Sequence, residues 1–475
     1  MGEFTMEQKK VNIIHYLIVA AFCLLFRFVP GPLGITAQGM AILGCFIGAI
    51  YGWIIIDMLW PSVLALIGMG LTIGWAPMMQ GSFGSEVCVC LIVSMGAIGI
   101  AMKNGAFNWL AMALLNNKLT AGKGYLSIFI IFMAAWFMGA HNPIIMCVIF
   151  CGFLTSMFKQ VGVQKNDPLV LFSFLGVAYQ LMRGQILFPF VSTGLVYLRM
   201  YQNALPDVPM PVPQYLLMMT IMGFAMALVF IALMKFVFRV DVSPLSNFKL
   251  EGGIPKCKRD QKIALWMFVI FILANILNVL SVPLITPFLN NFGLIGICLV
   301  MGAIAVLIPG EDGKPMATLE ELYHMVNWGQ LTMVGFIMLL STYMVTADTG
   351  IGSAMSVLFM PFMKLPPIVF IVVVMIIGTV LTNVANNMIV TVICMPFLIR
   401  FAAAVGLNPV AMVALLFIIS EFALATPAAS PVTAVAMSQE MVTPGAMSKA
   451  AMKILPFLFV AFMIIGWPLA LTIFG

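Results

Sequence analysis

Residues 366–399 read PPIVFIVVVMIIGTVLTNVANNMIVTVICMPFLI, an apolar block without a single charge. A helix of about 20 apolar residues is enough to cross a bilayer. This block is too long for one span and too short for two. At its centre stand Leu381-Thr382-Asn383-Val384-Ala385-Asn386-Asn387, polar groups where a spanning helix would meet the middle of the hydrocarbon. Irregular backbone survives at that depth only where protein or a water-filled cavity satisfies it. The block therefore predicts a re-entrant helical hairpin. A second block, 124–157, is interrupted in the same way by Gly139-Ala140-His141-Asn142-Pro143.

The rest of the 475 residues has the same character: 63% are hydrophobic, 8% charged, and the mean hydropathy is +1.14. A water-soluble domain of this length needs far more charge on its surface. Apolar runs near 20 residues recur, where a β-barrel would alternate over about 10. The fold class is an all-α polytopic membrane protein. Spans are predicted near 11–30, 36–55, 58–76, 86–115, 167–199, 214–239, 263–283, 288–308, 326–347, 403–438 and 450–474, about 11 transmembrane helices besides the hairpins. The net charge of +6 sits in loops and forms no basic domain, so no nucleic-acid partner is expected. The nine cysteines lie mostly in apolar runs beside only three histidines, and read as small hydrophobes, not metal ligands. Met1 to Thr5 read as a vector-derived tail before a start at Met6, and the first apolar run lacks a signal-peptide cleavage site.

Orientation follows from counting. With a cytoplasmic N-terminus and non-crossing hairpins, sixteen Lys and Arg fall inside and four (Arg27, Arg199, Lys364, Arg400) outside. Lys103 and Arg183 lie in apolar segments, which accounts for all 22. A full crossing by either block would collapse that asymmetry, so the positive-inside rule supports eleven spans plus two hairpins in an inner or plasma membrane, with an extracytoplasmic C-terminus. The organisation expected is an N-terminal tail 1–10, an extra span 11–35, a first repeat 36–239, a cytoplasmic linker 240–262 and a second repeat 263–475. Three ordered matches relate the repeats: Lys103-Asn104-Gly105 with Asp348-Thr349-Gly350, Asn142 with Asn383, and Pro189 with Pro427, at offsets of 245, 241 and 238. Each repeat holds an odd number of crossings, so tandem copies must be inverted.

Two hairpins with an asparagine at the tip, each followed by a proline-broken span, resemble the divalent anion/sodium symporter family of carboxylate and sulfate transporters. That family carries Ser-Asn-Thr at each tip and an Ala-Thr-Pro-Pro-like break. The second half is similar, with Thr382-Asn383-Val384 and Ala425-Thr426-Pro427; the first departs, with His141-Asn142-Pro143 and Phe188-Pro189-Phe190. The resemblance implies a homodimer in which hairpins and broken helices move, elevator-fashion, against a scaffold. It implies small di- or tricarboxylates as substrate and a coupling cation, Na⁺ ahead of H⁺, with no other cofactor. Asn142, Thr382, Asn383, Thr426 and Pro427 would serve the substrate, and Asn142, Asn383 and Ala425 the cation. His141 stands where the family has Ser, which removes one sodium ligand and makes it a candidate for proton coupling. The physics of such a site holds without the resemblance: helix N-termini attract anions, freed carbonyls bind a hard cation, and an Asn amide suits both. Asn is also a good helix cap.

Two charges lie inside apolar segments. Arg183, in Val177-Ala178-Tyr179-Gln180-Leu181-Met182-Arg183-Gly184, and Glu421, in Ile418-Ile419-Ser420-Glu421-Phe422-Ala423, each stand six residues before a helix-breaking proline. An ionised group there costs several kcal/mol unless paired or hydrated. Two readings stay open. The pair either locks the halves together, or Arg183 takes the substrate's negative charge and Glu421 a coupling cation or proton. The expected function is cation-coupled secondary transport of small carboxylates. The alternative is proton-coupled transport or exchange of a metabolite that is not a dianion. An intramembrane enzyme lacks motif support, since no HExxH or Gly-x-Ser-x-Gly is present, and a channel is a weaker third reading.

Overall fold

A computed structural model of the chain describes residues 13–106, 109–110, 123–140, 142–247, 256–279, 286–343, 346–359, 362, 365–384, 387–427 and 429–475. His141 and linker residues 248–255 lie outside them. Among the described residues the chain is helical, with no strand. In chain order the helices are α1 (Ile13–Leu25), α2 (Ala37–Ile55), α3 (Leu59–Ile73), α4 (Trp75–Gly81), α5 (Glu86–Lys103), α6 (Gly124–Gly139), α7 (Pro143–Gln160), α8 (Pro168–Gly184), α9 (Ser192–Ala204) and α10 (Val212–Ala232). The second half adds α11 (Arg259–Val279), α12 (Thr286–Leu307), α13 (Leu319–His324), α14 (Trp328–Tyr343), α15 (Ile351–Phe359), α16 (Pro367–Val384), α17 (Asn387–Val405), α18 (Pro409–Ser420), α19 (Pro431–Met437) and α20 (Pro444–Phe474).

The membrane character is visible helix by helix. On α10, Met218, Met222 and Met226 are buried on one face, while Leu217, Ile221, Phe224 and Leu228 are exposed on the other. An outward face that is as apolar as the core belongs against lipid. Among the described residues six helices are long and apolar enough to cross a membrane, or eight if each bent pair counts as one span; shorter apolar helices such as α6, α8 and α18 add to them.

The chain divides into two compact units, Met1–Val89 with Asn327–Pro366, and Cys90–Val326 with Pro367–Gly475. These do not follow the expected repeat boundaries, because each unit gathers helices from both halves. In the first unit α1 packs on α2 and α3. Buried Gly44 and Gly48 of α2 face Phe22 and Val19 of α1, small residues that let two backbones approach. Thr36 caps α2, accepting from the Gly39 N–H at 3.1 Å, and its own N–H donates to the Thr349 carbonyl at 3.1 Å.

The second unit holds both hairpins and both broken spans. The runs 167–199 and 403–438, expected as single spans, are each interrupted: α8 and α9 by residues 185–191, α18 and α19 by residues 421–430. Pro189 and Pro427 lie in these breaks, where proline's missing N–H ends a helical ladder. The hairpin helices run longer than the apolar blocks, to Gln160 and Val405. Arg400 closed the second apolar block, but helix-favouring Ala402, Ala403 and Ala404 carry the helix past it.

Helices α6 and α8 cross at two glycines. A Cβ on Gly139 would collide with the Leu181 carbonyl oxygen, and one on Gly184 with that of Trp136. Backbone cannot yield as a side-chain tip can, so Gly184→Ala is expected to cost about 1–3 kcal/mol of stability. It should read as a lower melting temperature in detergent; an unchanged one would rule out the close crossing.

Candidate functional site

Helix α18 ends at Ser420, and the next residue, Glu421, is fully buried. Its Oε2 accepts from Gln185 Nε2 at 2.5 Å and from Asn387 Nδ2 at 2.9 Å. Its Oε1 accepts from the Tyr197 hydroxyl at 3.0 Å. Gln185 follows the end of α8 just as Glu421 follows the end of α18, so the two broken spans meet through matching positions. Thr193 donates to Gln185 Oε1 at 2.9 Å and fixes which way that amide points. The carboxylate is thus held by three neutral donors. Among the described residues no cationic side chain forms an ion pair with it.

Asn383 ties the second hairpin to the 421–430 break. Its Nδ2 donates to the Thr379 and Phe422 carbonyls at 2.7 and 2.9 Å. Its Oδ1 accepts from the Leu424 and Ala425 N–H groups at 2.9 and 2.7 Å. Thr382 Oγ1 donates to the Ser420 carbonyl at 2.5 Å, and Thr426 Oγ1 to the Asn383 carbonyl at 2.7 Å. All four hydrogen-bonding positions of the Asn383 amide are therefore engaged within the chain. Pro427 is exposed in the same break. In the first hairpin Asn142 caps α7, its Oδ1 accepting from the Ile145 N–H at 3.1 Å, and its Nδ2 makes no hydrogen bond to a described residue.

Arg183 occupies the last turn of α8, 3% exposed. Its guanidinium carbon lies 5.4 Å from the centroid of the Tyr179 ring, a cation–π distance. That ring meets Phe422 edge-on at 5.3 Å. Arg183 Nε and Nη1 and both amide atoms of Gln180 are buried without a hydrogen-bond partner among the described residues, and the buried Tyr179 hydroxyl lies beside the guanidinium. Spacings of three and four residues put these three side chains on one face of α8. Leaving such groups unpaired costs about 1–3 kcal/mol each. A direct Arg183–Glu421 bridge, one of the two readings of the sequence, is not what the described residues make. Glu421 is claimed by neutral donors instead, although the two charges still interact electrostatically.

Of the residues singled out in the sequence, the fold brings Thr382, Asn383, Ala425 and Thr426 together beside Glu421, with Arg183 reaching the same break through Tyr179 and Phe422, while Asn142 caps α7. Gln185, Asn387, Tyr197, Tyr179 and Gln180 were not among them. A signal existed for Gln185 and Asn387, which are amides at the ends of broken helices. Tyr197 had none, since a tyrosine in an apolar run is ordinary core.

A multi-pass helical membrane protein with two broken spans meeting at a buried carboxylate is the class these features define. Among solved structures the chain is similar to the YdaH transporter of Alcanivorax borkumensis, with a TM-score of 0.57 over 84% of this chain and 90% of that one, at 12% sequence identity. The fold is thus shared with a membrane transporter. No protein-family model and no curated protein matches the chain.

Proposed function

We propose that this chain is a secondary active transporter of small anionic metabolites, in which Arg183 takes the substrate's carboxylate. The observation that carries this reading is the buried guanidinium whose Nε and Nη1 have no partner among the described residues. A carboxylate binds a guanidinium side-on through Nε and Nη2 or end-on through Nη1 and Nη2, so each of those edges offers one of the two unpartnered donors, and burial makes each such bond strong. Gln180 and Tyr179 supply further donors and an acceptor on the same face. The Asn383 amide is spent on holding the junction, so backbone groups of the 421–430 break and the Asn142 Nδ2, unpaired among the described residues, are the better candidates for further ligand contact.

The gathering of helices from both halves into two compact units supports a transport body moving against a scaffold, in a homodimer as the symporter resemblance implies. The internal repeat gains support from Gly105 and Gly350, both at φ 67°, and from the hairpin ends. Gly139 and Val384 close the first arms 245 residues apart, the offset of those glycines. In this reading the repeats are inverted, the N-terminus and segment 240–262 are cytoplasmic and Gly475 is outside. Cysteine labelling of an otherwise Cys-free protein tests the topology: position 250 should react only from the inside, and an external reaction there would overturn it.

A thermal-shift screen of purified protein against succinate, citrate and sulfate, with and without Na⁺, tests the substrate class. A ligand at a hundred times its Kd stabilises by about 2.7 kcal/mol, so a true substrate should raise the melting temperature and fail to do so in Arg183→Met. A single guanidinium also favours a second reading, transport of a monoanion in place of a dianion. Stabilisation by a monocarboxylate such as lactate, with none by succinate or citrate, would decide for it.

A further inference from the structure

We infer that Glu421 is the proton carrier of this transporter, protonated when an anion binds at Arg183 and deprotonated when the anion leaves. The inference rests on the anion-transport reading. Its first ground is charge balance. Among the described residues Arg183 and Glu421 are the buried charged side chains, one positive and one negative. An anion entering at Arg183 leaves an excess negative charge in a low-dielectric interior, which is costly until a cation joins it. Glu421 is the buried carboxylate able to accept one.

The second ground is the identity of that cation. Both carboxylate oxygens already receive N–H or O–H hydrogens, from Gln185, Asn387 and Tyr197. A sodium ion needs oxygen lone pairs turned toward it, and here the surrounding dipoles present their positive ends. A proton needs a single acceptor. The third ground supplies one. The Tyr197 hydroxyl lies 3.0 Å from Ser420 Oγ, and Ser420 in turn donates to the Phe417 carbonyl at 2.8 Å. With Glu421 ionised, Tyr197 donates to Oε1. With Glu421 protonated on Oε1, its O–H donates to the Tyr197 oxygen, which turns its own hydrogen to Ser420 Oγ. Both states are fully hydrogen-bonded, with no heavy atom displaced. The step adds one proton to a carboxylate and breaks no other bond; the proton comes from water on one side and returns to water on the other.

Among the described residues the groups facing Glu421 are few. Arg183 on α8, Tyr197 on α9 and Tyr215 on α10 are the charged or titratable ones. Gln185 in the first break and Asn387 on α17 are neutral amides. Tyr215 donates to the Ile186 carbonyl at 2.5 Å and so is not a donor to the acid.

Calorimetric binding of succinate, citrate or sulfate, run in two buffers of different ionisation enthalpy, counts the protons taken up. One proton per anion is expected, with affinity falling about tenfold per pH unit once the acid ionises in the free protein. Glu421→Gln should abolish the uptake and lock affinity at its low-pH value. Should that variant not fold, the wild-type infrared difference spectrum on anion addition should gain one carboxylic-acid C=O band. Anion binding without proton uptake, or with uptake that Glu421→Gln leaves intact, overturns the inference while the transport reading stands. Binding that requires Na⁺ at every pH does the same. If neither lactate nor any of the three anions binds, both fall.

Discussion

Asn383→Ala is expected to lose stability and uptake together. The amide holds the Phe422 carbonyl and the N–H groups of Leu424 and Ala425, in a break where no helical partner remains for them. Truncation strands the Ala425 N–H and leaves the Phe422 carbonyl and the Leu424 N–H only the 3.1 Å bond that they make to each other. At about 1–3 kcal/mol for the unpaired N–H and about 0.5–1.5 kcal/mol for each of the two other lost hydrogen bonds, the loss is on the order of 2–6 kcal/mol. It should appear as a large drop in detergent melting temperature alongside uptake near background. A wild-type melting temperature with uptake abolished would instead place the amide on a ligand, which is how the sequence alone reads it.

The second large effect concerns Arg183 and Glu421. Were they a bridged pair, removing either partner would cost roughly 3–5 kcal/mol, and replacing both would recover most of it. The geometry predicts otherwise. Arg183→Met removes a buried cation whose Nε and Nη1 have no partner among the described residues, so its melting temperature should equal or exceed the wild type's while uptake vanishes. Glu421→Gln replaces an acceptor of three donors by an amide with one oxygen, and should destabilise by about 1–3 kcal/mol. The double variant should lie close to the sum of the two, with a coupling energy well under that of a bridge, and should not regain uptake. Melting curves and proteoliposome uptake on all three variants decide between the accounts. Uptake restored in the double variant would make Arg183 structural.

The membrane class and the broken spans were legible because each follows from one-dimensional signals. Apolar length sets a span, and a proline or a polar cluster at its centre breaks it. The register of the second hairpin was not. Asn383 and Asn387 are both asparagines in one polar cluster, and only the helix boundaries at Val384 and Asn387 put the first on the junction and the second on Glu421. Of the two readings open for Glu421, the pairing with Arg183 came from a choice of register. Counting six residues back from each proline pairs it with Arg183. Counting from the helix ends pairs it with Gln185, since the first break begins four residues before its proline and the second begins six before. Side chains recruited from distant helices, Tyr197 above all, leave no trace in a single sequence.

The meeting of Gln185 with Glu421 also fixes the handedness of the charge. The two side chains are nearly the same size, and exchanging them would leave the packing almost untouched. It would move the acid onto the segment that carries Arg183, two residues away. The guanidinium would then have a tethered counter-ion and nothing left to offer a solute. Keeping the acid on the opposite broken span, with an amide in the place beside the arginine, is what leaves the guanidinium Nε and Nη1 without a partner among the described residues.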